Sequence, residues 1–307
     1  MAGSAIIEPD LENPRGSGVS GDSQQFKVEE LAVRKDRGSQ PSNMIVEQIW
    51  TGNSYRNFHY LIACRESGEA LVIDPFDHEK CLARAKDKGW EITQILNTHE
   101  HRDHTGGNAA MIQATGAKLL AHGKAGPRIE GIDRGLSADD VVRVGKTVEL
   151  LALDTPGHTM SHICLLSKTD TPALFSGDTL FAAGAGNCSG GGDPEELFNT
   201  FVTQLAELPE ETLVYPGHDY IVNNLGFTVD REPDNERALT LRRNLSQSYD
   251  PSKPLVTTLA MEREINTFFR LTSATLIREL RNSNPELSPD PSPKEVFLGL
   301  RELRNHW

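Results

Sequence analysis

No apolar run in this 307-residue chain approaches the ~20 residues needed to span a bilayer, so a membrane-spanning class is excluded as an expectation. An excess of basic charge is missing as well. The 44 acidic residues outnumber the 31 basic ones and leave a formal net charge of −13, which argues against general attraction to nucleic acid or to an anionic membrane. Cysteine is sparse: Cys64, Cys81, Cys164 and Cys188 are scattered without a CxxC pair and read as ordinary thiols rather than a disulfide framework. The first residues, MAGSAIIEPDLENPRGSG, lack the charged start and apolar core of a secretory signal. A cytoplasmic location is the default expectation. Nothing repeats with a period of about 20–50 residues, which excludes solenoid architectures.

Residues 1–43 have hardly any aromatics and are rich in Ser, Gly, Asp, Glu and Lys, a composition expected to stay a disordered or peripheral extension. From Met44 the pattern changes to short strands: MIVEQIW, FHYLIAC (58–64) and ALVID (70–74). DHEKCLARAKDKG (77–89) reads as an amphipathic helix stopped by Gly89. A second block of strands covers DVVRV, TVELLALDT, SHICLLS and PALFSGD, followed by a helix over 194–208 and the strand TLVYPGH (212–218). Strands and then a helix, given twice, predict two sheets with helices outside. Beyond about residue 229 the pattern turns helical, with Asp234 expected to cap the first helix. The domain expectation is a polar extension (1–43), a sheet-bearing domain (44–229) and a small helical domain (230–307).

The chemistry concentrates in THEHRDHTGGN (98–108). His99, His101, Asp103 and His104 fall within six residues, between an apolar strand and a helix. Three further candidates stand where an apolar run ends in a Gly turn: His158 in TPGHT, Asp178 in FSGDTLF and His218 in YPGHDY. Glycine there lets the backbone approach a bound ion closely. Packing the HxHxDH side chains together without a metal would crowd cationic or unsatisfied groups. Five imidazoles and two carboxylates suit zinc, iron or manganese.

Seven donors are too many for one tetrahedral ion, but two ions about 3.5–4 Å apart would use them all if one carboxylate bridges. Asp178 is the expected bridge. His99, His101 and His158 are assigned to one ion, and Asp103, His104 and His218 to the other. Water held between two dications ionises near neutral pH, and the hydroxide can attack an electrophilic carbonyl. Asp103 would orient that nucleophile, and Asp178 would hold the two ions together. His59, His78, His122, His162 and His306 read as surface or satisfied core residues.

These motifs, in this order and spacing, resemble the metallo-β-lactamase superfamily and, within it, hydroxyacylglutathione hydrolase (glyoxalase II). NTFFR (266–270) and EVFLGLRELRN (295–305) extend the resemblance into the C-terminal helices. The resemblance implies an α+β fold, an αββα sandwich with a small C-terminal helical domain. It implies two divalent metal ions, zinc with iron or manganese as alternatives, and hydrolysis of a thioester of glutathione or a related thiol. No nucleic-acid or membrane partner is expected. The family's glutathione contacts map to Tyr220 and Arg270. One stretch departs: after GDTLF this chain has AAGAGNCSGGGDP, with Asn187, Cys188 and Ser189 where a basic side chain and two rings would stand. Asn187 then takes the expected place beside the substrate. Gly190, Gly191 and Gly192 read either as a surface turn or as a substrate loop, and Cys188 as a passive loop thiol or a reactive one.

Two other enzyme readings belong to the same superfamily. One is a sulfur (persulfide) dioxygenase using one iron held by two His and one Asp, against which the helical C-terminal part argues. The other is a different hydrolase, such as a lactonase or a nucleotide-processing enzyme. A nuclease would want a basic groove. A binding protein on a dead metal site would show a lost ligand, and all seven are present.

Overall fold

The computed structural model describes residues 43–307, so residues 1–42 of the expected polar extension lie outside the described residues. The chain begins with β1 (Met44–Trp50), β2 (Phe58–Cys64), β3 (Glu69–Ile73), α1 (His78–Lys88) and β4 (Glu91–Leu96). Next come α2 (Arg102–Thr105), α3 (Asn108–Thr115), β5 (Lys118–His122) and β6 (Arg134–Leu136). β7 (Val141–Val144), β8 (Val148–Asp154), β9 (Ile163–Ser167) and β10 (Ala173–Gly177) lead into a short hairpin of β11 (Leu180–Phe181) and β12 (Gly184–Ala185). α4 (Pro194–Thr203) and β13 (Leu213–Pro216) come next, then α5 (Ile221–Arg231), α6 (Glu236–Ser248), β14 (Thr257–Thr258), α7 (Leu259–Ile265), α8 (Ala274–Ser283) and α9 (Pro293–His306).

Two mixed six-stranded sheets result, ordered β1-β2-β3-β4-β5-β6 and β14-β13-β10-β9-β8-β7. Alternation along β2 shows how they pack. Phe58, Tyr60, Ile62 and Cys64 face the space between the sheets, where they meet Leu150 and Ile163 from β8 and β9. Leu61 points the other way, toward Cys81 and Ala85 of α1 and Met111 of α3. Opposite faces of one strand therefore fill two cores, as a period of two dictates. On the outer face of the second sheet, Cys164, Leu174 and Val214 pack with Phe201 of α4 and with Phe268, Phe297 and Leu300 of the C-terminal part. The layers run helix, sheet, sheet, helix, which is the α+β sandwich the sequence implies.

Local signals explain most boundaries. Asp77 caps α1 by accepting from the Lys80 amide, and Gly89 ends it at φ 69°. α6 differs from expectation. Its cap is Asn235, whose side chain accepts from the Ala238 amide, while Asp234 instead accepts from the Thr275 hydroxyl. The C-terminal part is not purely helical either, since β14 pairs with β13 and extends the second sheet. Its helices start at Ile221, inside the segment expected to belong to the sheets. Among the described residues no helix is long and apolar enough to cross a membrane.

Phe201 is nearly fully buried and its ring lies 5.1 Å from Phe269 and 5.3 Å from Phe297. Phe201→Ala is expected to lose about 3–5 kcal/mol of stability in denaturant unfolding. Val202→Ala, next in sequence but 38% exposed, should stay within about 0.5 kcal/mol.

Candidate metal centre

Strand ends deliver every predicted donor. β4 runs into His99, His101, Asp103 and His104; β8 leads to His158, β10 to Asp178 and β13 to His218. After β8, β10 and β13 the donors follow glycine directly, where the chain turns. Gly177 sits at φ +47°, and a Cβ at Gly217 would lie 2.4 Å from Asp178 Oδ1. The seven side chains fall into three overlapping groups of mutually close ligand atoms: His99–His101–His158, His99–His104–Asp178 and Asp103–His104–His218. The first and last are the groupings assigned from sequence, and Asp178 lies between them.

Five ring nitrogens converge. His101 Nδ1 lies 3.0 Å from His99 Nε2 and 3.1 Å from His158 Nε2, and His104 Nε2 lies 3.1 Å from His218 Nε2. The opposite ring nitrogens all face acceptors. His158 Nδ1 donates to the Asn187 carbonyl (2.6 Å), His218 Nδ1 to the Tyr55 carbonyl (2.7 Å) and His101 Nε2 to the Gly190 carbonyl (3.0 Å). His104 Nδ1 donates to Asp74 Oδ2 at 2.9 Å. The Thr98 hydroxyl spends its proton on Asp74 Oδ2, so it accepts from His99 Nδ1 at 3.0 Å. A neutral imidazole has one proton, and here the outer partners claim it. The inward nitrogens are left as bare lone pairs about one cation's width apart.

Asp178 completes the cluster. Its Oδ2 lies 3.2 Å from His218 Nε2 and 3.5 Å from His158 Nε2, one contact to each outer group. Burial would push its carboxyl up, but His218, His104 and His158 in their protonated forms would outweigh that and hold it far below the ordinary range. Its Oδ1 is buried without a hydrogen-bond partner. A buried, ionised, unsatisfied oxygen amid convergent lone pairs is costly unless a cation joins them. The donor set therefore fits divalent metal. Protonation alone gives poorer balance. Burial disfavours the charged form of His104, yet Asp178 and Asp74 raise it to about 9, while burial and neighbouring imidazoles keep His99 well below its ordinary value.

His162, given a core reading from sequence, accepts the Asp178 amide at Nε2 (3.1 Å) and stacks on His99. His59 likewise accepts the Asp77 amide. Two residues around the donors were not singled out. Asp74 gathers the Thr98 amide, the Thr98 hydroxyl and His104. Asn57 donates to Asp103 Oδ2 at 3.2 Å. Asp74 carried a signal: it follows the apolar run ALVI at a strand end, just as Asp178 follows its own.

Beside the cluster lies a cavity of about 410 Å³ lined by Phe181, Asn187, Ser189, Tyr220, Arg301 and Arg304, among others. Tyr220 stacks on His218 at 5.1 Å and 6°. Arg270, expected to contact the substrate, is not among the residues lining this cavity; its Nε donates to the buried carboxylate of Glu232 at 2.8 Å. The cations of the cavity are Arg301 and Arg304, three residues apart on α9 and so on one face. Arg301 is 4% exposed and donates to the Ala185 and Gly186 carbonyls; among the described residues neither arginine pairs with a carboxylate. Burial pushes the half-buried Cys188 thiol up to about 11, in keeping with a passive thiol.

Two sheets flanked by helices, with an HxHxDH loop and strand-end ligands at one rim, define the metallo-β-lactamase class. The family model described as "Metallo-beta-lactamase superfamily" matches residues 58–218, and one described as "Hydroxyacylglutathione hydrolase C-terminus" matches residues 219–307. A protein of Polaromonas sp. named hydroxyacylglutathione hydrolase is 66% identical over 86% of this chain and 100% of its own length. One from Nitrosococcus oceani, with the same name and coverage, is 63% identical. The crystal structure of ETHE1 from Myxococcus xanthus is 25% identical with a TM-score of 0.59, covering 85% of this chain and 98% of that one. The chain belongs to the hydroxyacylglutathione hydrolase family of this superfamily.

Asp74→Asn keeps the shape but replaces one acceptor oxygen with a donor, against either His104 or Thr98. Chelator competition is expected to show divalent cations bound about 10–100-fold more weakly, with circular dichroism unchanged. Undiminished affinity would remove Asp74 from the support of the site.

Proposed function

We propose that this chain is a thioester hydrolase acting on S-(2-hydroxyacyl)glutathione, and that its seven donors hold two divalent cations, zinc first among the candidates. The observation that carries this reading is the pair of donor groups around Asp178, set beside a cavity whose arginines have, among the described residues, no carboxylate partner. Bound cations would supply Lewis acidity, ionising water and polarising a carbonyl. The remaining work belongs to the chain's own side chains. Asp103 would accept a proton and orient the attacking water, a role supported by the Asn57 amide that donates to its Oδ2 at 3.2 Å. Asp178 keeps the two donor groups together. Arg301 and Arg304 offer charge-assisted hydrogen bonds to the carboxylates of the thiol half, with Tyr220 and Asn187 at the side. A thiolate leaves without a strong general acid, so no further acid–base residue is required.

On this reading the segment expected to bear the sheets (44–229) carries the donors, and α9, in the segment expected to be helical (230–307), offers the cations to the substrate. A plant relative named as the cytoplasmic hydroxyacylglutathione hydrolase, 34% identical, supports a cytoplasmic setting.

The purified, zinc-loaded chain is expected to hydrolyse S-lactoylglutathione in a steady-state assay and to consume no oxygen with glutathione persulfide. Oxygen uptake without hydrolysis would establish the dioxygenase reading instead. His101→Ala is expected to abolish turnover while the chain stays folded. Arg304→Ala should raise KM for the thioester about tenfold or more while kcat changes less, because it removes a charged hydrogen bond used in ground-state binding. Arg270→Ala should leave KM in place and lower the unfolding midpoint, since Glu232 loses its partner.

A further inference from the structure

The glycine-rich stretch after β12 lies directly on the metal centre. Its ends are pinned. The Gly186 amide donates to the Thr179 carbonyl (3.2 Å), and the Asp193 amide to the Gly157 carbonyl (2.9 Å). Asp193 also caps α4 through the Glu195 and Glu196 amides. Between these anchors two main-chain carbonyls turn inward, Asn187 toward His158 and Gly190 toward His101. Both imidazoles belong to the His99–His101–His158 group. Asn187 and Ser189 also belong to the cavity wall, and the Ser189 hydroxyl donates to Asn187 Oδ1 at 2.9 Å.

Sterics explain the composition. A Cβ on Gly190 would lie 2.6 Å from His101 Nε2, and one on Gly192 would lie 2.0 Å from the Gly157 carbonyl and 2.2 Å from that of His158. Neither has room for a side chain. Gly191 has its nearest outside atom at 3.9 Å, in Arg128, but its φ of +105° suits glycine.

We propose that the Asn187–Gly192 backbone is a clamp that fixes His101 and His158 from outside, so that Gly190 is a positioning residue for one cation group and ties it to the wall of the substrate cavity. The clamp selects the tautomers: carbonyls can only accept, so His101 keeps its proton on Nε2 and His158 on Nδ1, and the other nitrogen of each faces inward. The Asn187 and Ser189 side chains sit on the same short loop, so a ligand that displaces them moves the carbonyls behind them. This rests on the reading of the cluster as a two-cation site.

The test is zinc binding by the full-length, metal-free chain, measured by competition with a chelating indicator. In Gly190→Ala one of the two zinc affinities is expected to fall about 10–100-fold while the other holds. Val202→Ala, an exposed position outside the loop, should match wild type in both. Two unchanged affinities in folded Gly190→Ala would overturn the clamp while leaving the two-cation reading intact. A wild-type chain that takes up no zinc would overturn both. If Gly190→Ala fails to fold, long-range proton–nitrogen NMR of zinc-loaded wild type decides. The clamp requires a slowly exchanging Nε2 proton on His101, and a rapidly exchanging one contradicts it.

Discussion

Five imidazoles turned inward with their protons turned outward are the constraint on which the rest of this molecule depends. Each outer nitrogen is claimed by an acceptor: the carbonyls of Tyr55, Asn187 and Gly190, the carboxylate of Asp74 and the hydroxyl of Thr98. Those acceptors come from four separate stretches of chain. A donor cluster of this kind has no internal attraction of its own, because lone pairs about 3.0 Å apart repel. Its geometry must be imposed from outside, and the two packed sheets impose it. The strands end at one rim, and their cores leave the turns little freedom.

The helical part is tied to this rim through the β11–β12 hairpin. Arg301 donates to the Ala185 and Gly186 carbonyls, Asn266 to the Gly184 carbonyl, and the buried Glu262 accepts the Ala183 amide. Burial raises the Glu262 carboxyl to about 7, and the Asn266 side-chain amide also donates to it at 2.9 Å. Asp178 lies one residue before the hairpin's anchor at Thr179. Arg301 and the donor cluster are thus set against one another through a few backbone hydrogen bonds, and the 410 Å³ cavity lies beside them.

Much of this was legible in the chain. HxHxDH placed four donors in one loop, and the Gly-His and Gly-Asp turns placed three more, because apolar runs ending in glycine mark strand ends in any sandwich. The layer order followed from strand-and-helix alternation. What escaped shows the limits of local pattern. Arg270 looked like a substrate cation because of the motif around it, yet its charge is absorbed by Glu232, 38 residues upstream, and no short window contains that pair. Arg301 and Arg304 alternate with buried apolar residues such as Leu300 on α9, and only the fold brings them to the cavity. Asn235 displaced Asp234 as a helix cap because Thr275 offers the aspartate a competing partner. The glycine run could not be placed from composition, since only the fold brings Gly190 against His101.

Everything proposed for this site turns on whether two cations share one carboxylate. Anomalous diffraction from zinc-loaded crystals at the zinc edge measures this without reference to activity. It should show two peaks, one among His99, His101 and His158 and one among Asp103, His104 and His218, with Asp178 touching both. A single peak, or an Asp178 turned away from the imidazoles, would contradict it.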